Sequence, residues 1–405
     1  LHLCDRRQRQ MCIRDRNKGG PSGYLYNIYK YLETNPSTDI VFLSDLLPAN
    51  CNSLFQKRVG LGKKILKCCF PDFLFNYLRW IWGFYITVNI PDFFDYVDLS
   101  DFHYIHFHKL TDSYSYRKYI RRFSGKTILI SHDPEPRVDE KMRAFGIKVH
   151  FFSKIVRGYL LRREVLLFSR FDFFMFPCFD ARECYEKEKL YKELFVRRND
   201  DFYYVPTAIL ELDFERKYDN FFFRKYGIPD DAFVISYIGR HSEIKGYDFL
   251  KNIALKVFEN NPNIFFVVGG KEEPLKGINH SQWIELGWIN NADEIIFQSD
   301  LFILPNRETY FDIVLLEVLR AGVPVLMTLT GGNKYFYALS KEKREGLFFY
   351  SNNALDSAVS IIERLYKTKK DRGLLSMRQA NKQLWKQEFS LERYIIEYVS
   401  KTFKL

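Results

Sequence analysis

Leu301 to Lys334 reads LFILPNRETYFDIVLLEVLRAGVPVLMTLTGGNK, and in it an apolar strand, a loop, a helix, a second strand and a glycine loop follow one another. Leu301 to Leu304 is a short, continuously apolar run suited to a strand covered on both faces, and Pro305 stops it. Thr309 or Asp312 can cap the helix that follows, and Gly322 with Pro324 ends it, so the spacing predicts one helix over Ile313 to Ala321. Pro324 to Met327 is the next buried strand. A unit of this kind is half of a nucleotide-binding α/β fold.

Within that helix Glu317 stands alone among Ile313, Val314, Leu315, Leu316, Val318 and Leu319. A carboxylate on a mostly buried helix is costly unless something hydrogen-bonds it, and a sugar diol is a suitable partner. The free N–H groups at the helix start, over Asp312, Ile313 and Val314, offer a place for phosphate oxygens, and Gly331-Gly332 is a loop whose backbone can come close to a ligand. The alternative is that Glu317 lies on an exposed edge and pairs with Arg320 three residues on. These residues alone leave both readings open.

TYFDIVLLEVLRAGVPV followed by TGGN resembles the donor-site signature of the GT-B glycosyltransferases of family 4 (glycosyl transferases group 1), retaining enzymes whose usual form is Glu, seven residues, Glu, then Pro-Val. The resemblance implies that Glu317, on the second glutamate, holds the nucleotide ribose. The first glutamate falls on Thr309, a departure, with Glu308 one residue earlier and out of register.

Upstream, Phe233 to Ile238 reads as a strand ending in Gly239-Arg240, and Lys245-Gly246 opens a helix over Tyr247 to Phe258. Two cations at a strand-to-helix junction make a good diphosphate site. The pattern is similar to the family motif in which arginine and lysine stabilise the departing diphosphate, which gives Arg240 and Lys245 that role by resemblance. Ile264 to Val268 is a strand with Gly269-Gly270 at its tip. Leu286-Gly287-Trp288-Ile289 resembles the turn whose backbone receives the nucleotide base, and Ala292 to Gln298 is a short helix. After the opening stretch come a strand over Gly346 to Tyr350 and helices over Ala354 to Lys367, Leu374 to Glu388 and Leu391 to Thr402.

At 405 residues, 47% hydrophobic and 18% aromatic, the chain can fill two cores and is not a disordered sequence. Its seven cysteines have no paired spacing and no CxxC, which suits reduced thiols in a cytoplasmic protein without a zinc site. The longest apolar candidate, Phe73 to Ile90, is broken by Asn76 and Arg79, so no span of the roughly eighteen residues needed to cross a membrane is expected. Residues 1–16, LHLCDRRQRQMCIRDR, have no apolar period and look like translated non-native leader, excluded from the fold. The net charge of +11 suits a phosphate-rich ligand, an anionic membrane surface or nucleic acid, and does not choose among them.

In the first half, Asn17 to Gly23 (NKGGPSG) is a glycine-rich loop opening onto a helix over Tyr24 to Leu32, either a plain turn or a loop whose amides at Gly19, Gly20 and Gly23 face a ligand. The resemblance places such a loop on the acceptor side of an interdomain cleft. Ile40 to Ser44 reads as a strand. Leu54 to Val88 is basic and aromatic, with Trp80, Trp82 and Phe84, and is either core with a solvated face or a helix on an anionic bilayer. Phe151 to Arg170, with Lys154, Arg157, Arg162 and Arg163, repeats that pattern.

His103 to His108 is a strand whose period places His106 and His108 on one face, without a third ligand to make a metal site. By resemblance His108 and Lys109 lie at the cleft on the acceptor side. Thr127 to Ser131 is the next strand, and His132 follows at the end where open α/β sheets place ligands. The resemblance gives His132 a hydrogen bond to the donor sugar. Phe173 to Phe176 is a strand, Asp180 to Tyr191 a polar helix, and Phe202 to Val205 a last strand before a linker reaching about Asp231.

The fold class expected is α/β, two doubly wound Rossmann-like domains facing a cleft, with residues 17–208 on the acceptor side, 209–388 binding the nucleotide sugar, and 389–405 crossing back to the first domain. The resemblance implies a retaining, metal-independent glycosyltransferase of hexosyltransferase type, at the cytoplasmic membrane face in cell-surface polysaccharide or lipopolysaccharide synthesis. Its partners would be a nucleotide sugar donor and a glycan or lipid-linked acceptor, with an anionic membrane surface as a further partner, no nucleic acid and no cofactor. The rival readings are a weakly catalytic nucleotide-sugar-binding protein, because of Thr309, and a basic membrane-surface or nucleic-acid-binding protein.

Overall fold

The computed structural model describes residues 20–36, 40–42, 71–84, 102–108, 110, 123–132, 135–212, 222–290, 292–370 and 373–404. The leader 1–16, Gly19, Lys109 and much of 54–88 lie outside them.

Two parallel sheets organise the chain. The first holds β1 (Tyr104–Phe107), β2 (Lys126–Ile130), β3 (Phe173–Phe176) and β4 (Phe202–Tyr204), side by side in chain order. The second holds β5 (Phe233–Ile238), β6 (Ile264–Gly269), β7 (Trp283–Gly287), β8 (Leu301–Leu304), β9 (Val325–Thr328) and β10 (Leu347–Tyr350), in the order β10-β9-β8-β5-β6-β7. Every strand pair in both sheets is parallel. All four residues of β8 and of β9 are buried, as continuous apolar runs covered on both faces require.

The order of the second sheet matters for function. The chain runs outward from β5 to β6 and β7, then returns to lay β8 on the other side of β5. The winding reverses between β5 and β8, and a crevice opens beyond the carboxyl ends of strands at such a point. Gly239-Arg240 and Asn306 to Thr309 are the residues that follow those two ends.

The helices are α1 (Gly20–Thr34), α2 (Asp72–Trp82), α3 (Arg137–Ala144), α4 (Phe151–Phe168), α5 (Glu183–Glu186), α6 (Lys189–Arg197), α7 (Tyr247–Phe258), α8 (Ala292–Gln298), α9 (Ile313–Ala321), α10 (Asn333–Tyr337), α11 (Leu355–Lys370), α12 (Leu374–Glu388) and α13 (Leu391–Thr402). Residues of α13 cross back to the first sheet: Tyr394 and Tyr398 share a buried cluster with Tyr24, Ile128 and Met175, and Lys401 Nζ donates to the Tyr204 carbonyl. Among the described residues no helix is long and apolar enough to cross a membrane.

Three sequence expectations need correction, and one helix was not expected. Gly20 and Gly23 are not loop residues but lie in the first turns of α1, where Pro21 is tolerated because the early N–H groups of a helix have no carbonyl to meet. The helix expected over 180–191 is broken into a 3₁₀ turn over Phe179–Arg182, α5 and α6, with Glu188 extended between the helices. Burial of Cys184 and Tyr185 in the core on one side, and the Arg157–Glu188 ion pair at 2.5 Å on the other, fix the break. The strand expected from Ile40 is not formed over the described residues 40–42. Helix α3, which the sequence reading omits, starts after Pro136 with Asp139 and Glu140 in its first turn and buries Val138 and Met142 four apart.

Candidate functional site

The crevice beyond β5 and β8 collects most of the residues expected on the donor side. Lys245 Nζ lies 2.6 Å from Asp312 Oδ1, so the cation on the β5–α7 turn is tied to the residue that opens α9. Asp312 also accepts from Asn306 Nδ2 and, at 3.0 Å, from Thr309 Oγ1. Burial pushes its carboxyl pKa up, but Lys245 and these donors outweigh burial and hold it below the ordinary range. Asp312 has the extended backbone of an N-cap, yet its carboxylate takes no cap hydrogen bond from α9, contrary to the capping expected of it. Thr309 likewise spends its hydroxyl on Asp312 and is almost fully buried.

Arg240 is exposed directly beyond β5, and its guanidinium takes no hydrogen bond or ion pair among the described residues. Burial lowers the pKa of Arg143, a first-domain residue on α3, and the charge of Arg240 lowers it further. Arg143 pairs with Glu135, and Arg240 adds a second positive charge near it. Arg143 was not legible in the sequence, because the helix that carries it was not.

Glu317 is half-buried on α9. Burial raises its carboxyl pKa to about 7, with Asp293 adding to the rise and Arg320 opposing it. It takes no hydrogen bond or ion pair among the described residues. The guanidinium of Arg320 goes instead to Asp293 Oδ1 at 2.7 Å and the Leu210 carbonyl at 2.6 Å. The edge salt bridge that was the alternative reading of Glu317 is therefore not made.

Close backbone packing shapes the rest. Gly246 has φ +66, and a Cβ there would come 1.8 Å from the Pro305 carbonyl oxygen, so the turn carrying Lys245 presses on the loop after β8. Gly239 N donates to the Gly269 carbonyl, and Gly270 N donates to the Gly287 carbonyl at 2.7 Å, which sets the tips of β5, β6 and β7 side by side. Trp288 beyond β7 is 53% exposed, and Ile289 packs over Gly269. Gly331, with φ +45, and Gly332 lie against the backbone of Thr309 and Tyr310, which places the second glycine loop beside the loop after β8.

First-domain side chains meet that loop. Glu183 Oε2 accepts from Gly331 N at 3.1 Å and from Lys334 Nζ at 2.6 Å, and Lys187 pairs with Glu308 at 2.7 Å. A Cβ on Gly23 would be 3.7 Å from Ile313 Cδ1, so the start of α1 faces the start of α9, where Ile313 and Val314 are half-buried. These cross-domain contacts had no sequence signal, since each joins residues far apart in the chain.

His132 and His108 are brought together at the ends of β2 and β1. His108 Nδ1 lies 3.0 Å from His132 Nε2, with the rings stacked at 14°, and the Tyr24 ring lies 4.8 Å from that of His132. Burial lowers the His132 pKa to about 4 and that of His108 well below its usual value, so both rings are neutral and one N–H donates to the other ring. His106, expected on the same face, bonds to Tyr398 of α13.

Residues 232–368 match the model of the family described as glycosyl transferases group 1. A protein of similar sequence is the UDP-Gal:alpha-D-GlcNAc-diphosphoundecaprenol alpha-1,3-galactosyltransferase of Escherichia coli, 26% identical over 150 residues, which are 34% of this chain and 38% of that protein. The match thus spans well under half of the relative. In structure the chain is similar to a sucrose-phosphate synthase from Thermosynechococcus elongatus, with TM-score 0.57 at 12% identity over 95% of this chain and 93% of the other. It is similar too to Anabaena HepE in complex with UDP, with TM-score 0.52 at 13% identity over 75% of this chain and 79% of HepE. Two parallel sheets flanked by helices, and this likeness to solved structures, give the fold as GT-B.

Proposed function

From a GT-B fold whose residues 232–368 match group 1 glycosyl transferases, we propose that this protein moves a sugar from a nucleotide diphosphate sugar to a hydroxyl of a glycan or lipid-linked glycan, in the synthesis of a cell-surface polysaccharide or lipopolysaccharide. The observation that carries the proposal is Glu317: a half-buried carboxylate without a hydrogen-bonding partner among the described residues, on the helix that borders the crevice where the sheet winding reverses. A ribose diol supplies the two donors it lacks.

The remaining roles follow from position. The diphosphate lies between Arg240 and Lys245 at the start of α9, where Asp312 leaves the Ile313 and Val314 end uncapped by its side chain. The base rests on Gly287, Trp288 and Ile289 beyond β7. The sugar reaches toward Gly331 and Gly332 and toward neutral His132, and the acceptor enters past Gly20, Gly23 and His108. As the glycosidic bond breaks, negative charge grows on the leaving phosphate, and the two cations stabilise it without a metal. In the retaining scheme of family 4, that phosphate takes the acceptor proton on the face it leaves, so the product keeps the donor's anomeric configuration.

The test is to incubate the protein with a panel of nucleotide sugars and follow nucleoside diphosphate release, then repeat with EDTA and read the product anomer by NMR. The proposal expects turnover of at least one donor, unchanged by chelation and with retention. Loss of activity with EDTA that magnesium or manganese restores would contradict the metal-free scheme, and an inverted product would contradict the retaining one.

A further inference from the structure

The two cations assigned to the diphosphate are placed by different means. Lys245 is held at its head, by the 2.6 Å pair with Asp312. Arg240 is held at its root. Its carbonyl accepts from the Tyr237 hydroxyl at 2.8 Å and from Ser242 N at 2.9 Å, while its exposed guanidinium takes no hydrogen bond or ion pair among the described residues. The neighbours on both sides are fixed as well: Gly239 N donates to the Gly269 carbonyl at 3.0 Å, and the His241 carbonyl accepts from Leu275 N at 3.0 Å.

Tyr237 is itself immobile. It is 1% exposed near the end of β5, and its hydroxyl presses on Gly239, where a Cβ would come 2.9 Å from that oxygen. Its ring packs on that of Tyr247 with centroids 5.7 Å apart, and the fully buried His241 ring stacks on the other side of the group, 3.9 Å from Tyr247 at 7°. The Tyr247 hydroxyl is tied in turn to Glu285 Oε2 at 2.9 Å, an oxygen that also accepts from the Trp283 indole at 3.1 Å. The Arg240 carbonyl keeps Ser242 N as a partner whether or not the phenol is there, so the Tyr237 hydroxyl adds direction to the peptide rather than a missing hydrogen bond. A long side chain with a free head is only as well aimed as the peptide that carries it.

We propose that Tyr237 is the positioning residue for Arg240: its hydroxyl grips the Arg240 carbonyl from within the second domain and so aims the guanidinium into the crevice beyond β5. This deepens the donor-site reading given above and rests on it.

The test is calorimetric titration of the full chain with UDP, GDP and ADP, together with the rate of nucleoside diphosphate release, for wild type, Tyr237→Phe, Arg240→Ala and the double variant. Tyr237→Phe removes one oxygen and keeps the ring stack. It is expected to weaken binding of the best nucleotide by about threefold to tenfold and to slow release by about tenfold, and to change neither in the Arg240→Ala background. A hydroxyl that served the fold alone would lower the melting temperature and weaken binding by the same factor in both backgrounds, and that result overturns the proposal. Wild-type binding and release in Tyr237→Phe, beside a weakened Arg240→Ala, overturns it too. A wild type that binds none of the three nucleotides, or an Arg240→Ala variant that binds and turns over as wild type does, is a different failure: it removes Arg240 from the donor site, and this inference falls with that reading.

Discussion

At the scale of single residues, Glu317 sets stability against binding. The unfolded chain releases this proton near 4.5, the folded chain only near 7, so between those values the folded state holds more protons and stability falls as pH rises. Glu317→Gln removes the charge and should melt at a higher temperature than wild type above pH 7. The same change should weaken nucleoside diphosphate binding by about 1.5 to 3 kcal/mol, as calorimetry would show. Equal affinity in the two forms would take Glu317 out of the donor site. Histidines carry the opposite sign. His132 and His241 have pKa values lowered to about 4 by burial, so the unfolded chain takes up protons below 6.5 that the folded chain refuses. Thermal stability should therefore drop as pH falls from about 6.5 to 4, and NMR should show no His132 titration near neutrality. A His132 resonance titrating near 6.5 would contradict the buried, paired ring.

At the scale of elements, the turn between β5 and α7 positions Lys245, and Gly246 permits that turn. A methyl group at Gly246 meets the Pro305 carbonyl and demands a left-handed backbone, so Gly246→Ala should destabilise the fold by about 1 to 3 kcal/mol in denaturant unfolding and displace Lys245 from Asp312. No change in the unfolding midpoint would mean that the turn relaxes freely. Elements with punctuated ends were legible in the sequence: β8 ends at Pro305, and α9 closes at Gly322 in the left-handed region, as expected. Elements whose limits depend on tertiary contacts were not. The break between α5 and α6 is made by Arg157 from α4, and α3 rests on Trp80 and Glu164, partners that lie far away in the chain. Arg240, Lys245 and Asp312 were legible in the sequence because they sit at strand and helix ends, and Glu317 because it is the lone carboxylate of an apolar helix. Arg143 and Glu183 were not, because only the packing of one domain on the other brings them there.

At the scale of the whole molecule, the two sheets are joined by more than a linker. Phe176 of β3 packs on Tyr310 of the loop after β8, and α13 returns to the first sheet. Glu183 and Lys187 hold Lys334 and Glu308 across the same crevice. Neither domain alone presents both the cations beyond β5 and the histidine pair beyond β2, so the transfer proposed above requires both domains. That central claim is tested most directly by the rate of nucleoside diphosphate release from the best donor of the panel, compared among wild type, Arg240→Ala and Lys245→Ala. The account predicts that each substitution lowers turnover at least about a hundredfold with the fold intact, since each removes a cation from the charge that develops on the leaving phosphate. Wild-type rates in both variants would contradict it.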